Sequence, residues 1–247
     1  MEAEASNPEI GADGGWADSA PAWLRIIERG DPNREVLLDP VMLAEVGDVA
    51  GLRVLDLGCG EGRFSRLLAA RGATPIGLDL TEALLDVARS KAGPAERYVR
   101  ASGEALPFTG VNFDLVVSYL SLIDIPDFRA AIRESARVLK PNGRLIVAGL
   151  SNIASSANGW VRDEAGKRLY QAVDRYLEER EIVLEWAGMR ILNWHRPLSA
   201  YMDAYLDAEL TLRHYLEPMP PDDSMRDDPR FEDWYRVPNF DVMVWQK

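Results

Sequence analysis

The sequence predicts an α/β protein built on a doubly wound, mostly parallel sheet. Three observations carry that prediction. Apolar strand runs alternate with stretches of helical period between residues 53 and 150. The first run, Arg53–Leu57, empties into a glycine turn and a helix start, and residues 112–120 are apolar almost throughout, as a strand covered on both faces requires.

Taken in order, residues 1–15 read as a mobile, acidic tail with Gly11, Gly14 and Gly15, able to order on ligand binding. Short helices are expected over Ala22–Ile27 and Val36–Val46, with Pro32 and Pro40 where a helix starts or breaks. The strand Arg53–Leu57 leads to a helix from Gly62 to Ala70 whose Phe64, Leu67 and Leu68 share a face, and Gly72 ends it. A second unit follows: strand 74–78, then Thr81 as N-cap of a helix carrying Leu84, Val87 and Ala88, stopped by Gly93-Pro94. Tyr98–Arg100 is a third strand and 112–120 a fourth. Asp127 caps a helix with Phe128, Ile132, Ala136 and Leu139, and Lys140-Pro141-Asn142-Gly143 turns from it into the strand Arg144–Leu150.

After Leu150 the rhythm changes. Residues 151–159 read as a loop and 162–180 as a charged helix with Leu169, Val173, Tyr176 and Leu177 on one face. Residues 181–186 and 189–194 pair as a hairpin around Ala187-Gly188. Ser199 starts a last helix through Leu206, followed by strand 210–216, an acidic Pro-rich loop and strand 240–246. The resulting division is an N-terminal tail with lid helices (1–47), a ligand-binding core (48–150), an inserted cap (151–198) and a C-terminal completion of the sheet (199–247).

Composition narrows the function. The 247 residues carry 28 Lys and Arg against 40 Asp and Glu, a formal net charge of -12, which argues against a broad nucleic-acid or anionic-membrane footprint. One cysteine, Cys59, excludes an intrachain disulfide, and with two histidines a cysteine-histidine zinc site is not expected. Residues 1–10 lack the pattern of a secretory signal and no apolar run approaches a membrane span, so a cytoplasmic location is expected.

The glycine turn Gly58-Cys59-Gly60-Glu61-Gly62 follows Asp56, and that carboxylate decides the ligand class. A dinucleotide site would receive a pyrophosphate at the turn and helix start, which Asp56 would repel. The spacing is also one residue short of the dinucleotide fingerprint, which opposes a nicotinamide oxidoreductase. S-adenosylmethionine carries a sulfonium and an ammonium but no phosphate, so it suits the turn better. Asp79 ends the next strand, where it can accept the two hydroxyls of a ribose through charge-assisted bonds of roughly 1.5 to 3 kcal/mol each.

These segments together resemble the class I S-adenosylmethionine-dependent methyltransferases, in particular the bacterial small-molecule branch called methyltransferase type 11. The resemblance covers about residues 50–150. It rests on residues 54–62, Gly77-Leu78-Asp79, Glu104-Ala105-Leu106-Pro107-Phe108, residues 113–118 and residues 137–143. It implies a Rossmann-like, seven-stranded sheet whose last strand is antiparallel. It further implies that Asp56, Gly58 and Gly60 hold the methionine end, Asp79 the ribose, Ser102, Gly103 and Glu104 the adenine, with Ser118 and Tyr119 beside the methyl group. Cys59, Leu80 and Trp16 complete the expected cofactor contacts; the product would be S-adenosylhomocysteine. The chain departs from the family at Ser102, where an Asp is usual, and at Ile123-Asp124, where many relatives have two histidines. It also lacks an Asn-Pro-Pro-Tyr-like turn after the fourth strand, which disfavours amino methylation of DNA or protein glutamine.

Methyl transfer is an in-line displacement, so a hydroxyl acceptor needs a base that an amine does not. His195 and Asp124 are the candidate catalytic residues. For His195, a structural imidazole bonding a loop carbonyl is the competing reading. Trp16, Trp23, Trp160, Trp186 and Trp194 are candidates to wall an aromatic pocket. The expected activity is methylation of an oxygen or nitrogen of a small, ring-containing metabolite by a monomer or homodimer. Methylation of RNA or protein, and cofactor sensing without turnover, are the alternatives.

Overall fold

The computed structural model describes residues 10, 11 and 13–247. The expected tail over 1–15 falls largely outside the described residues. Helix α1 (Trp16–Arg29) starts earlier than the sequence indicates and buries Trp23. A π-helical segment, Asn33–Leu38, runs into α2 (Asp39–Val46), whose Pro40 occupies the first turn, where a missing N–H costs no hydrogen bond.

Strand β1 (Arg53–Leu57), α3 (Arg63–Ala69), β2 (Thr74–Asp79) and α4 (Glu82–Ser90) form the two leading strand-helix units. Strands β3 (Arg97–Arg100) and β4 (Phe113–Tyr119) follow, then α5 (Phe128–Val138). Asp127 caps α5 as expected, its carboxylate accepting the N–H of Ala130 at 2.8 Å. Strand β5 (Leu139–Leu150) begins at once, so the turn expected over residues 140–143 is taken up as an irregularity in its pairing with β4. Lys247 holds it, bonding the Asn142 N–H and the Gly143 carbonyl at 3.0 Å each.

The cap differs most from the sequence expectation. After α6 (Asn152–Ser156), β6 (Ala157–Arg162) and β7 (Arg168–Val173) pair as a hairpin where a helix over 162–180 was expected. The turn chemistry explains it. Asp163 Oδ1 accepts the N–H groups of Ala165 (3.0 Å) and Lys167 (2.8 Å), and Gly166 takes a φ of +82° that ends any helix. The second hairpin, β8 (Arg180–Trp186) with β9 (Met189–His195), forms around Ala187-Gly188 as expected.

Helix α7 (Leu198–Asp207), β10 (Thr211–Leu216) and β11 (Phe240–Gln246) close the chain. The main sheet has seven strands in the order β3-β2-β1-β4-β5-β11-β10. The first five run parallel, and β11 is antiparallel to both neighbours. This is the seven-stranded α/β architecture that the resemblance implies. Its central positions, among them Leu55, Val116, Ile146 and Val242, are fully buried, which is why those strands read as continuous apolar runs. Among the described residues no helix is long and apolar enough to cross a membrane.

Candidate active site

Strand order reverses beside β1, with β2 on one side and β4 on the other, and a crevice opens at the carboxyl ends of these strands. A cavity of about 520 Å³ occupies that crevice, a size suited to a small organic ligand.

The floor is the turn after β1. Gly58 has a φ of +70°, its N–H donates to the Leu78 carbonyl at 2.7 Å, and a Cβ there would collide with the side chain of Ser121. Ser121 donates to the Leu57 carbonyl (2.6 Å) and shares a 2.7 Å hydrogen bond with Ser118. At Gly60 the nearest atom to an added Cβ is Leu84 Cδ1 at 4.0 Å, so the missing side chain leaves cavity space open.

Three carboxylates gather at this floor. Asp56, 1 % exposed, accepts the Ser65 hydroxyl at 2.6 Å; burial pushes its pKa up to about 6 against that bond, and the charge of Glu61 adds to the rise. Asp79 accepts the N–H groups of Gly60 and Thr81, both at 2.8 Å, and burial raises its carboxyl as well. Thr81 therefore stands at the N-cap of α4 without capping it through its own hydroxyl. Glu61 accepts the Trp23 indole N–H on one oxygen (3.4 Å), while the other oxygen is buried without a partner. Burial and these neighbouring carboxylates push the Cys59 thiol well up, which keeps it from nucleophilic chemistry.

The roof is α1 and the β8–β9 hairpin. The Gly14 carbonyl accepts the Leu192 N–H (2.9 Å), and Ser19 accepts the Arg190 N–H (3.1 Å). Trp16 and Trp23 meet edge to face at 5.7 Å, and Trp194 lines the same cavity, its indole nitrogen buried without a hydrogen-bond partner among the described residues. Asp124, from the segment after β4, joins floor to roof by accepting hydrogen bonds from Asn193 and Trp16. Burial holds its carboxyl well above the usual range, with the charge of Asp79 adding to it. Arg196 fixes this segment from beneath, donating to the carbonyls of Leu122 (3.0 Å), Ile125 (2.6 Å) and Pro126 (3.0 Å).

All the expected cofactor residues reach the cavity wall except Ser118, which lies below it on Ser121. Ser102 is spent locally, accepting the Glu104 N–H at 3.1 Å. Asp124 lines the cavity but His195 does not. His195 is fully buried, with Nδ1 bonded to Ser155 and Nε2 to the Tyr176 carbonyl, both at 2.8 Å, so this expected base is a structural imidazole with no free ring nitrogen. Of the five tryptophans, Trp160 and Trp186 lie away from the cavity. Sequence reading passed over Arg34 and Glu61. A carboxylate between two turn glycines was a usable signal for Glu61; Arg34, in a run of charges, offered none.

The donor set fits the cofactor inferred from the sequence: buried carboxylates for a sulfonium and an ammonium, and open space at Gly60. Residues 55–147 match a family model described as "Methyltransferase domain". The fold aligns with an S-adenosylmethionine-dependent methyltransferase of Mesorhizobium loti at a TM-score of 0.77 and 28% identity, covering 89% of this chain and 99% of that one. Over these residues the core is similar to the S-adenosylmethionine-dependent methyltransferases. A putative methyltransferase of this kind from Listeria monocytogenes aligns at a TM-score of 0.72 and 28% identity, over 84% of this chain and 95% of that one. Demethylmenaquinone methyltransferase of Clavibacter sepedonicus is 38% identical over 108 residues, 43% of this chain and 44% of the relative. The chain spans about two fifths of the length of the curated relatives that it matches first. S-adenosylmethionine is the cofactor of the methyltransferase family. Among the described residues no cluster of three or more His, Cys, Asp or Glu is arranged to hold a metal.

Proposed function

We propose that this chain transfers a methyl group from S-adenosylmethionine to an oxygen or nitrogen of a small, ring-containing metabolite. The observation that supports this most directly is the continuity of the cavity, from the carboxylate and glycine floor to the tryptophan-lined roof. Asp79, already oriented by two backbone N–H groups, accepts the ribose hydroxyls on its remaining lone pairs. Asp56 and the turn at Gly58 and Gly60 take the methionine end, and residues 102–104 the adenine. Bound in that place, S-adenosylmethionine supplies an electrophilic methyl carbon on a sulfonium.

The roof over the cavity aligns the acceptor with the methyl group, which is most of what an in-line displacement needs. Trp16, Trp23 and Trp194 suit a planar ring, and the Clavibacter relative, a demethylmenaquinone methyltransferase, supports a small ring-bearing acceptor. For a hydroxyl acceptor Asp124 takes the proton, its raised affinity for protons matching the task. The net charge of -12 weighs against nucleic acid and anionic membranes as partners, and the single cysteine accords with a reducing cytoplasm.

The test is S-adenosylhomocysteine release, corrected for hydrolysis, across a panel of phenols, hydroxyquinones, ring amines and carboxylic acids, with RNA and protein as separate arms. Acceptor-dependent release from a phenol, hydroxyquinone or ring amine supports the reading. Asp124→Asn should then lower turnover of a hydroxyl acceptor about 100-fold or more with S-adenosylhomocysteine affinity nearly unchanged. Cofactor binding without turnover on any acceptor would favour a sensing module instead.

A further inference from the structure

Two arginines, Arg34 and Arg63, stand on the cavity wall, and they differ in what holds them. Arg34 lies in the π-helical segment Asn33–Leu38, a geometry that re-aims side chains and recurs at functional sites. Its guanidinium stands 4.6 Å from the Trp23 ring centroid and 5.4 Å from that of Tyr119, in cation–π contact with both. Its one ion contact is a 3.5 Å approach of Nε to Asp31; Nε is buried without a hydrogen bond, and neither Nη group has one among the described residues. Arg63, the other arginine on the wall, is already gripped by both oxygens of Asp39.

Arg34 is partly buried, 15 % exposed in its side chain, with Nε shut away from solvent, and a guanidinium so placed is normally held by acceptors on its N–H groups. Here two aromatic rings flank it, while its Nη groups carry no hydrogen bond among the described residues. The wall around it carries Asp56, Glu61, Asp79 and Asp124. That surround disfavours a phosphate dianion and tolerates a single negative charge that the guanidinium can hold in bidentate fashion. We propose that Arg34 is a carboxylate-binding subsite of the cavity. Resting on the methyltransferase reading, this gives two sources for the carboxylate: the amino-acid end of the cofactor, or an acid group on the acceptor.

Calorimetric titrations separate them. Wild type, Arg34→Met and Arg34→Lys are titrated with S-adenosylhomocysteine and with its decarboxylated analogue, which keeps the adenosine, thioether and amine. They are then titrated with benzoate and benzamide, with and without S-adenosylhomocysteine. If the cofactor supplies the carboxylate, Arg34→Met loses about tenfold or more for S-adenosylhomocysteine and almost nothing for the analogue, with Arg34→Lys between. Unchanged binding of the analogue also shows that the variant is folded. If the acceptor supplies it, the two adenosyl ligands respond alike, and wild type prefers benzoate to benzamide while the variants do not. Absence of any carboxylate dependence in both arms overturns the proposal. Should neither adenosyl ligand bind wild type, the cofactor reading fails separately, and the benzoate arm without it decides Arg34 alone.

Discussion

Asp56 couples the site to pH. Burial leaves it a proton acceptor up to about pH 6, against 3.8 for an ordinary aspartate. In the ligand-free protein the stabilisation from holding that proton is complete below the unfolded value and is lost as the pH rises through about 6. A sulfonium or ammonium ligand prefers the ionised carboxylate, so below about pH 6 its binding must expel the proton. Affinity for S-adenosylmethionine should fall by up to about tenfold between about pH 7 and pH 5, with proton release visible as a buffer-dependent binding enthalpy. A flat affinity over that range would show that Asp56 stays ionised or does not meet the cation. Asp56 and Asp79 were legible in the sequence because a strand end and a glycine turn fix where their side chains go. His195 was not: Pro197 and a strand place it near the roof, but only the packing of Ser155 and the Tyr176 carbonyl decides which way the ring faces.

At the scale of elements, the roof depends on a few tethers. Arg196, 1 % exposed, bonds three carbonyls of the segment holding Asp124 and stacks over Phe128 at 4.3 Å. Arg196→Met keeps the stem and removes the donors, leaving those carbonyls unsatisfied. It should cost about 2 to 4 kcal/mol in denaturant unfolding. A loss within about 0.5 kcal/mol would mean that water or a backbone shift replaces the bonds. The core helices and strands were legible because their periodicity and capping agree, as at Asp127 and α5. The hairpin over β6 and β7 was not, because Leu169, Val173, Tyr176 and Leu177 mimic a helical stripe. Leu169, Val173 and Leu177 are in fact exposed, Leu177 at 81 %, so no buried face was available to enforce helical period. The Asp163 and Gly166 turn signal outranked that spacing.

For the whole molecule, topology does what no single residue can. The reversal of strand order at β1 brings Asp56, Asp79, Gly103 and Asp124 to one crevice from four separate strand ends. The N-terminal helix and the second cap hairpin then close over it, joined to each other through Gly14 and Ser19. A crevice so lined suits a cationic adenosyl cofactor and not a dinucleotide. Calorimetric titration of ligand-stripped protein with S-adenosylmethionine, S-adenosylhomocysteine and NADH tests it directly, with Asp79→Ala alongside. Expected are micromolar binding of the first two, none of NADH, and at least a roughly tenfold loss, about 1.4 kcal/mol, in Asp79→Ala. Binding of NADH, or failure of folded protein to bind either adenosyl ligand, would contradict it.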